Sequence, residues 1–347
     1  MIAHKTIYIK NIYYMLSYAF KVLNQKEYRK IEAENFENTA ELLSEILIIG
    51  VSHQIKQGLV KDYRDVSETT SSVRGKINIT ESINSQTFIK KQLNCTYDEF
   101  SENCYLNQII KSTMKLLLNE DISRERKKKL KNLLMYFRDV DLIDVKTIKW
   151  KLRFDRNNQM YKLLVNICYL TINGLLLSEK TGNVKIIDFE DNVMHSLYER
   201  FLLNYFKKEH PEIHTYAPQI DWQVDEGIDS LLPKMLTDVV LEYENKILII
   251  DAKFYSQNTV EKNEKNIHRE HNLYQIFAYV KNKDLELKGK DYEVSGMLLY
   301  ARTNQIIQPD SDYLIDGNMI SVKNINLYQD FIFIKEQLDN IVCDYLL

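Results

Sequence analysis

The sequence predicts an α/β protein, α+β over the whole chain. A mostly helical first part with a small β portion (residues 1–180) precedes a second part (181–347) built on a mixed central sheet flanked by helices. Three observations predict it. Gly (9) and Pro (4) are scarce in 347 residues, which leaves long uninterrupted elements and excludes collagen-like, linker-like or Gly-rich disordered chains. The hydrophobic period is helical over most of the first part and strand-like over much of the second. The charge also changes sign: residues 1–180 carry 29 Lys+Arg and 21 Asp+Glu, net +8, and the remainder carries 17 and 28, net −11. Such a split fits one part that meets phosphates and one that concentrates cations, or ordinary compositional drift between two domains.

The elements follow in chain order. Ile12, Met15, Leu16, Ala19 and Phe20 recur at helical spacing, as do Ile109, Met114, Leu117 and Leu118. Between them SSVRGKINIT (71–80) reads as β-like, with Gly75 available for a tight turn. The longest nearly apolar run, 163–177, is interrupted by Asn166, Thr171 and Asn173. Spanning a bilayer takes about 20 mostly apolar residues, so no transmembrane helix and no membrane partner are expected. SEKTGN (178–183) is the most turn-like stretch and marks the domain boundary. Then VKIIDF (184–189) reads as a short strand or helix lead-in, and Val193, Leu197, Phe201, Leu202, Tyr205 and Phe206 form the apolar face of a helix. MLTDVVLEY (235–243) and KILIIDAKFY (246–255) are β-rich runs around Glu244-Asn245. HNLYQIFAYVKN (271–282) returns to helical period, and VSGMLLYAR (294–302) reads as a buried strand. The N-terminus lacks a signal-peptide pattern, and Cys95, Cys104, Cys168 and Cys343 form no CxxC pair. A cytoplasmic location is expected, without a zinc ribbon or disulfide framework.

The chemistry concentrates in the second part. Asp251 and Lys253 are two apart on a strand, so both side chains leave one face. A two-residue turn at Glu244-Asn245 sets Asp238 directly opposite Asp251, with Cβ atoms about 4.5–5.5 Å apart. Carboxylates so placed repel, and a divalent cation between them resolves the conflict; hard oxygen ligands suit Mg²⁺ or Mn²⁺ better than zinc. Lys253 can then orient or deprotonate an attacking water and stabilise charge on a phosphate. The bland reading is a polar hairpin with three solvated charges. The apolar run 247–250 argues for a strand buried on both faces, where charged ends need a purpose.

Weaker candidates surround this set. Glu199 borders the apolar face of its helix and either reaches the same metal or is a surface glutamate. Gln275 and Tyr279, four apart on a helix and so on one face, contact a phosphate or brace the metal site, with helix packing by Tyr279 as the bland reading. His268 and His271 have metal-like spacing but no third ligand. The run 124–131 (RERKKKLK) contacts DNA, contacts a partner, or is a solvated helix face. No Gly-x-x-x-x-Gly-Lys-[Ser/Thr] occurs, so nucleotide hydrolysis, where needed, falls to a partner.

Asp238, a hydrophobic strand, then Asp251-Ala252-Lys253, followed by Gln275-x-x-x-Tyr279, resembles the PD-(D/E)xK nuclease core, with Thr237 where the family's proline stands. KNIYYMLSYAF (10–20), VRGKI (73–77), YDEFSENCYLNQIIKST (97–113) and LLPKMLTDVVLEYENKILIIDAKFY (231–255) resemble the McrC family of McrBC-type restriction systems. The resemblance implies a restriction-endonuclease-like domain at 181–347 and a partner-binding, GTPase-stimulating domain at 1–180. It implies Asp238, Asp251 and the Ala252 backbone carbonyl as ligands of Mg²⁺ or Mn²⁺, and Lys253 as the catalytic lysine. The implied partners are double-stranded DNA and a hexameric AAA+ GTPase of the McrB type, which consumes the GTP and recognises methylcytosine. The implied function is a DNA endonuclease subunit; the competing reading is a non-catalytic GTPase activator or DNA-binding module with a nuclease-like fold.

Overall fold

The computed structural model describes residues 7–20, 23, 28, 30–31, 34, 36–152, 154, 159–181, 191–227, 231–255, 259–262, 265–302 and 308–347. The chain divides into two compact units. One comprises Met1–Asn38, Leu177–Asn183 and Ile187–Leu347; the other comprises Thr39–Leu176 and Val184–Ile186.

The division departs from a single cut at residue 180, and α1 (Ile9–Ala19) explains why. Asn11 donates through Nδ2 to the carbonyls of Leu327 and Gln329 at 2.8 and 2.7 Å. Tyr14 stacks on Phe331 with ring centroids 4.4 Å apart, and the Tyr18 hydroxyl donates to Glu209 Oε1 at 2.8 Å. Composition groups α1 with the basic half, whereas buried hydrogen bonds and aromatic packing fasten it to the far end of the chain.

The unit starting at Thr39 contains α2 (Thr39–Gln57), β1 (Asp62–Thr70), β2 (Lys76–Ile77), α3 (Ile79–Asn84), β3 (Leu93–Ser101), α4 (Tyr105–Leu117), α5 (Arg124–Leu134) and most of α6 (Gln159–Thr181). The helix expected around Ile109–Leu117 is α4. β1 and β2 pair antiparallel with opposite edges of β3. Gly75 precedes β2 with φ of +58°, and a Cβ there would run into the Thr96 carbonyl and Tyr97. Gly75→Ala should therefore destabilise this unit by about 1–3 kcal/mol, read as a lower thermal midpoint of the full chain; an unchanged midpoint contradicts the close approach. α6 continues through Thr181, so Ser178, Glu179 and Lys180 do not form the expected turn. Each is tolerable in a helix interior. The segment VKIIDF lies outside the described residues.

The other unit follows with α7 (Asp191–Glu209), β4 (His214–Tyr216), β5 (Gln219–Ile220), β6 (Met235–Leu236), β7 (Val239–Tyr243), β8 (Lys246–Lys253), the hairpin β9 (Thr259–Lys262) and β10 (Lys265–His268), α8 (Glu270–Glu286), β11 (Glu293–Ala301), β12 (Ser311–Ile315), β13 (Asn318–Ile325) and α9 (Phe331–Tyr345). Its sheet has the strand order β12-β13-β11-β8-β7-β4. β8 and β13 run parallel to β11 and the other pairings are antiparallel, which is the mixed α/β sheet expected. Central β8 is buried along nearly its whole length. Ile276, Tyr279 and Val280 of α8 pack against Ile247, Ile249, Val294 and Leu298. Gly296 permits the close approach, because a Cβ there would meet the side chains of Val280 and Ile276. The last two strands and α9 had no counterpart in the sequence reading. Among the described residues, no helix is long and apolar enough to cross a membrane.

Candidate active site

The site grows from the β7–β8 hairpin. Glu244 takes a left-handed φ of +51° in the two-residue turn, and the ladder runs from Tyr243↔Lys246 to Val239↔Ile250. Continuing that register places Asp238 against Asp251, as the spacing requires. Asp238 sits one residue outside the ladder, where its Oδ2 accepts a hydrogen bond from the Ala252 N–H at 2.8 Å. Asp251 is only 2% exposed and Lys253 6%. Lys253 Nζ lies 2.7 Å from Asp251 Oδ2. This buried ion pair is the contact that the Asp251 oxygen makes among the described residues, and no further donor reaches it.

A chain of hydrogen bonds locks the lysine from behind. Nζ donates to Gln275 Oε1 at 3.1 Å, Gln275 Nε2 donates to the Tyr279 hydroxyl at 2.9 Å, and that hydroxyl donates to the Leu236 carbonyl at 3.0 Å. One turn of α8 thus ties Lys253 to the segment that leads into Asp238. Gln275 and Tyr279 join the site as supports of Lys253. A second layer lies at the neighbouring strand, where Tyr300 pairs with Lys253 in the parallel register. Asn272 Nδ2 donates to the Tyr300 hydroxyl at 2.8 Å and its Oδ1 accepts from Tyr255 at 3.4 Å. The sequence pattern places Tyr255, Asn272 and Tyr300 in their elements but gives none of them a role at the site.

The electrostatics match a site under strain. Burial, then the Asp251 charge and then Glu199, push Asp238 up to about 7. Burial also raises Asp251, and the adjacent ammonium only partly opposes it. For Lys253 burial is the largest single influence and acts downward, yet Asp251, Tyr255 and Asp238 together hold the amine above its ordinary value. Lys253 is accordingly a persistent cation at neutral pH, suited to stabilising negative charge rather than to removing a proton. Two hard carboxylates at adjoining strand ends, both raised by burial and Asp238 also by the Asp251 charge, fit a divalent cation of the Mg²⁺ or Mn²⁺ kind. Among the described residues no three His, Cys, Asp or Glu side chains gather into a metal cluster, so a cation here would need backbone or water oxygens as well.

Glu199 faces this centre: its charge acts on both aspartates. It also holds His195, one helical turn earlier, with Nδ1 2.6 Å from Glu199 Oε1. His195 escaped the sequence reading, although its i,i+4 spacing from Glu199 was the available signal. His271 is exposed on α8, and the side chain of His268 lies outside the described residues. The basic run divides by face. Arg126 is buried and paired with Glu41 and Glu45 of α2, and Lys129 pairs with Glu125 at 2.8 Å. Arg124, Lys128 and Lys131 are exposed and Lys127 half-buried. Arg74 in VRGKI places its guanidinium over the Tyr97 ring at 5.3 Å.

Residues 4–301 match the family model for McrBC 5-methylcytosine restriction system components. Over 346 residues, 97% of this chain and 98% of the relative, the chain is 27% identical to the type IV methyl-directed restriction enzyme EcoKMcrBC of Escherichia coli (strain K12). Two solved structures are similar at 17% identity. One is a refined half-complex from the tetradecameric assembly of Thermococcus gammatolerans McrB AAA+ hexamers with bound McrC, with 96% of this chain and 76% of that one covered and a TM-score of 0.49. The other is the cryo-EM structure of the Thermococcus gammatolerans McrBC complex, with 58% and 59% covered and a TM-score of 0.42.

Proposed function

The chain belongs to the family of McrBC 5-methylcytosine restriction system components, and from that premise we propose that it is the system's DNA-cutting subunit. In this reading it hydrolyses phosphodiester bonds of double-stranded DNA in a PD-(D/E)xK site, and it both depends on and stimulates an AAA+ GTPase partner of the McrB type. The observation that carries the reading is the convergence of Asp238, Asp251 and Lys253 at the end of two buried central strands, with Asp251 and Lys253 in a buried ion pair.

Each residue then has a role. Asp238 and Asp251, with the Ala252 carbonyl, would hold Mg²⁺ or Mn²⁺, and the cation would supply Lewis-acid activation of the phosphodiester and of water. Lys253, kept protonated by Asp251, stabilises negative charge on the phosphate and orients the attacking water. Gln275 and Tyr279 fix the lysine so that little reorganisation remains. Strand β8 is the rigid support.

The test is reconstitution with the cognate GTPase, GTP, Mg²⁺ and methylated or unmethylated plasmid. The full system should cut methylated DNA only. Lys253→Ala should lose cleavage by about a thousandfold, some 4 kcal/mol of barrier, while GTPase stimulation and complex formation persist. A wild-type chain that stimulates GTP hydrolysis but never cuts would overturn the nuclease reading in favour of a non-catalytic activator.

A further inference from the structure

We propose that the outward face of α5, carrying Arg124, Lys127, Lys128 and Lys131, is a binding surface for the phosphate backbone of duplex DNA; the proposal rests on the reading that this chain acts on DNA. The helix sorts its cations in two. Arg126 and Lys129 turn towards α2, where Arg126 Nε meets Glu45 Oε2 at 2.9 Å and its guanidinium also meets Glu41. Lys129 is shared between Glu125 and Glu45. The other four cations stand at positions i, i+3, i+4 and i+7, on one side of the helix, and none forms an ion pair with a described residue. The only acidic residue of α5, Glu125, is already paired with Lys129. Nothing on this helix therefore neutralises the stripe.

Placement makes the stripe more than a solvated surface. The Ser123 side chain caps the helix at the Arg126 N–H, and Arg126 anchors the inner face, so the outward cations project from a fixed support. They span about 10 Å along the axis, the reach of several phosphates on a duplex that carries one charge per about 1.7 Å. Exposed Met135 and Tyr136 continue the same end of the helix, 72% and 62% accessible, and offer apolar contact to sugar edges. Four cations without an ion pair among the described residues complement a polyanion of regular spacing, and Glu125, the one carboxylate of the helix, is taken by Lys129.

The experiment is fluorescence anisotropy of the full-length chain with a labelled, unmodified duplex in EDTA, which prevents cutting, between about 50 and about 200 mM KCl. Wild type should bind with a steep salt dependence. Arg124→Gln, Lys127→Gln, Lys128→Gln and Lys131→Gln combined should weaken binding at least about tenfold and make the log–log slope shallower by about 2–4. Lys127→Arg, Lys128→Arg and Lys131→Arg combined should keep the wild-type slope, since charge rather than one hydrogen bond is read. Circular dichroism and the thermal midpoint should match wild type in both variants, because none of the replaced side chains is fully buried or ion-paired with a described residue. Parallel salt lines for wild type and the Gln variant overturn the proposal. So does unchanged DNA affinity with loss of co-elution with the GTPase, which would assign the stripe to an acidic protein surface. A wild-type chain that binds no duplex near 50 mM also overturns it, yet leaves the nuclease reading to the reconstituted cleavage assay.

Discussion

Replacing Asp238 or Asp251 with Asn will abolish DNA cleavage, and Asp238→Asn will also raise the thermal midpoint of the metal-free protein. Asp251→Asn will not raise it, because it leaves the buried Lys253 ammonium without its counter-charge. The two effects of Asp238→Asn have one cause. The carboxylates are held together in a dry site, an arrangement that costs stability and is useful only when a cation sits between them. Asp238, pushed up to about 7, measures that cost. Its folded value lies above the unfolded one, so protonation favours the fold. The contribution is fully present below about pH 4 and is lost as pH rises through about 7. At pH 8 the penalty is at most about 4 kcal/mol, so Asp238→Asn should gain several degrees there and little at pH 4. Mg²⁺ should raise the midpoint of wild type and leave that of the variants unmoved. Cleavage should fall by about a thousandfold or more. Retained cleavage in the double Asn variant would sink the assignment, and a wild type already more stable than Asp238→Asn at pH 8 without metal would sink the account of strain.

Arg126→Ala should unfold the unit that contains α5 at a much lower temperature, by about 3–5 kcal/mol, although Arg126 lies in a run that reads as surface charge. Arg126 is 9% exposed, its guanidinium sits between Glu41 and Glu45, and Glu41 is itself buried. Removing Arg126 takes the guanidinium from the buried Glu41 and leaves Glu45 only the more distant Lys129. Lys128→Gln, two residues on, should change stability by no more than about 0.5 kcal/mol. Differential scanning calorimetry of the two variants separates these outcomes; equal midpoints would contradict the buried triad. The contrast also dictates which positions can probe ligand binding, since a variant that includes Arg126 confuses loss of charge with loss of fold.

These two sites differ in how well they could be read beforehand. The Asp238–Asp251–Lys253 set was legible because a two-residue turn and a period of two fix a hairpin's register locally. The burial of β8 was legible for a similar reason, from four consecutive aliphatic residues. Arg126 was not, because its partners lie on α2 about eighty residues earlier, and helical periodicity gives no sign of a charge neutralised from so far away. His195 and the Tyr255–Asn272–Tyr300 layer escaped because single polar residues carry no pattern until the strands and helices are in place.

What the sequence determined by itself was therefore local: the hairpin register, the helix faces, the change of period and the family resemblance. Tertiary structure alone decided that α1 belongs with the C-terminal unit, through Asn11 bound to the carbonyls of Leu327 and Gln329. It alone placed Gln275 behind Lys253 and drew Arg126 inward. The physical reason is common to all three. Burying a polar group requires a partner, the partner is selected by proximity in the folded state, and proximity across tens or hundreds of residues follows from how the apolar faces pack.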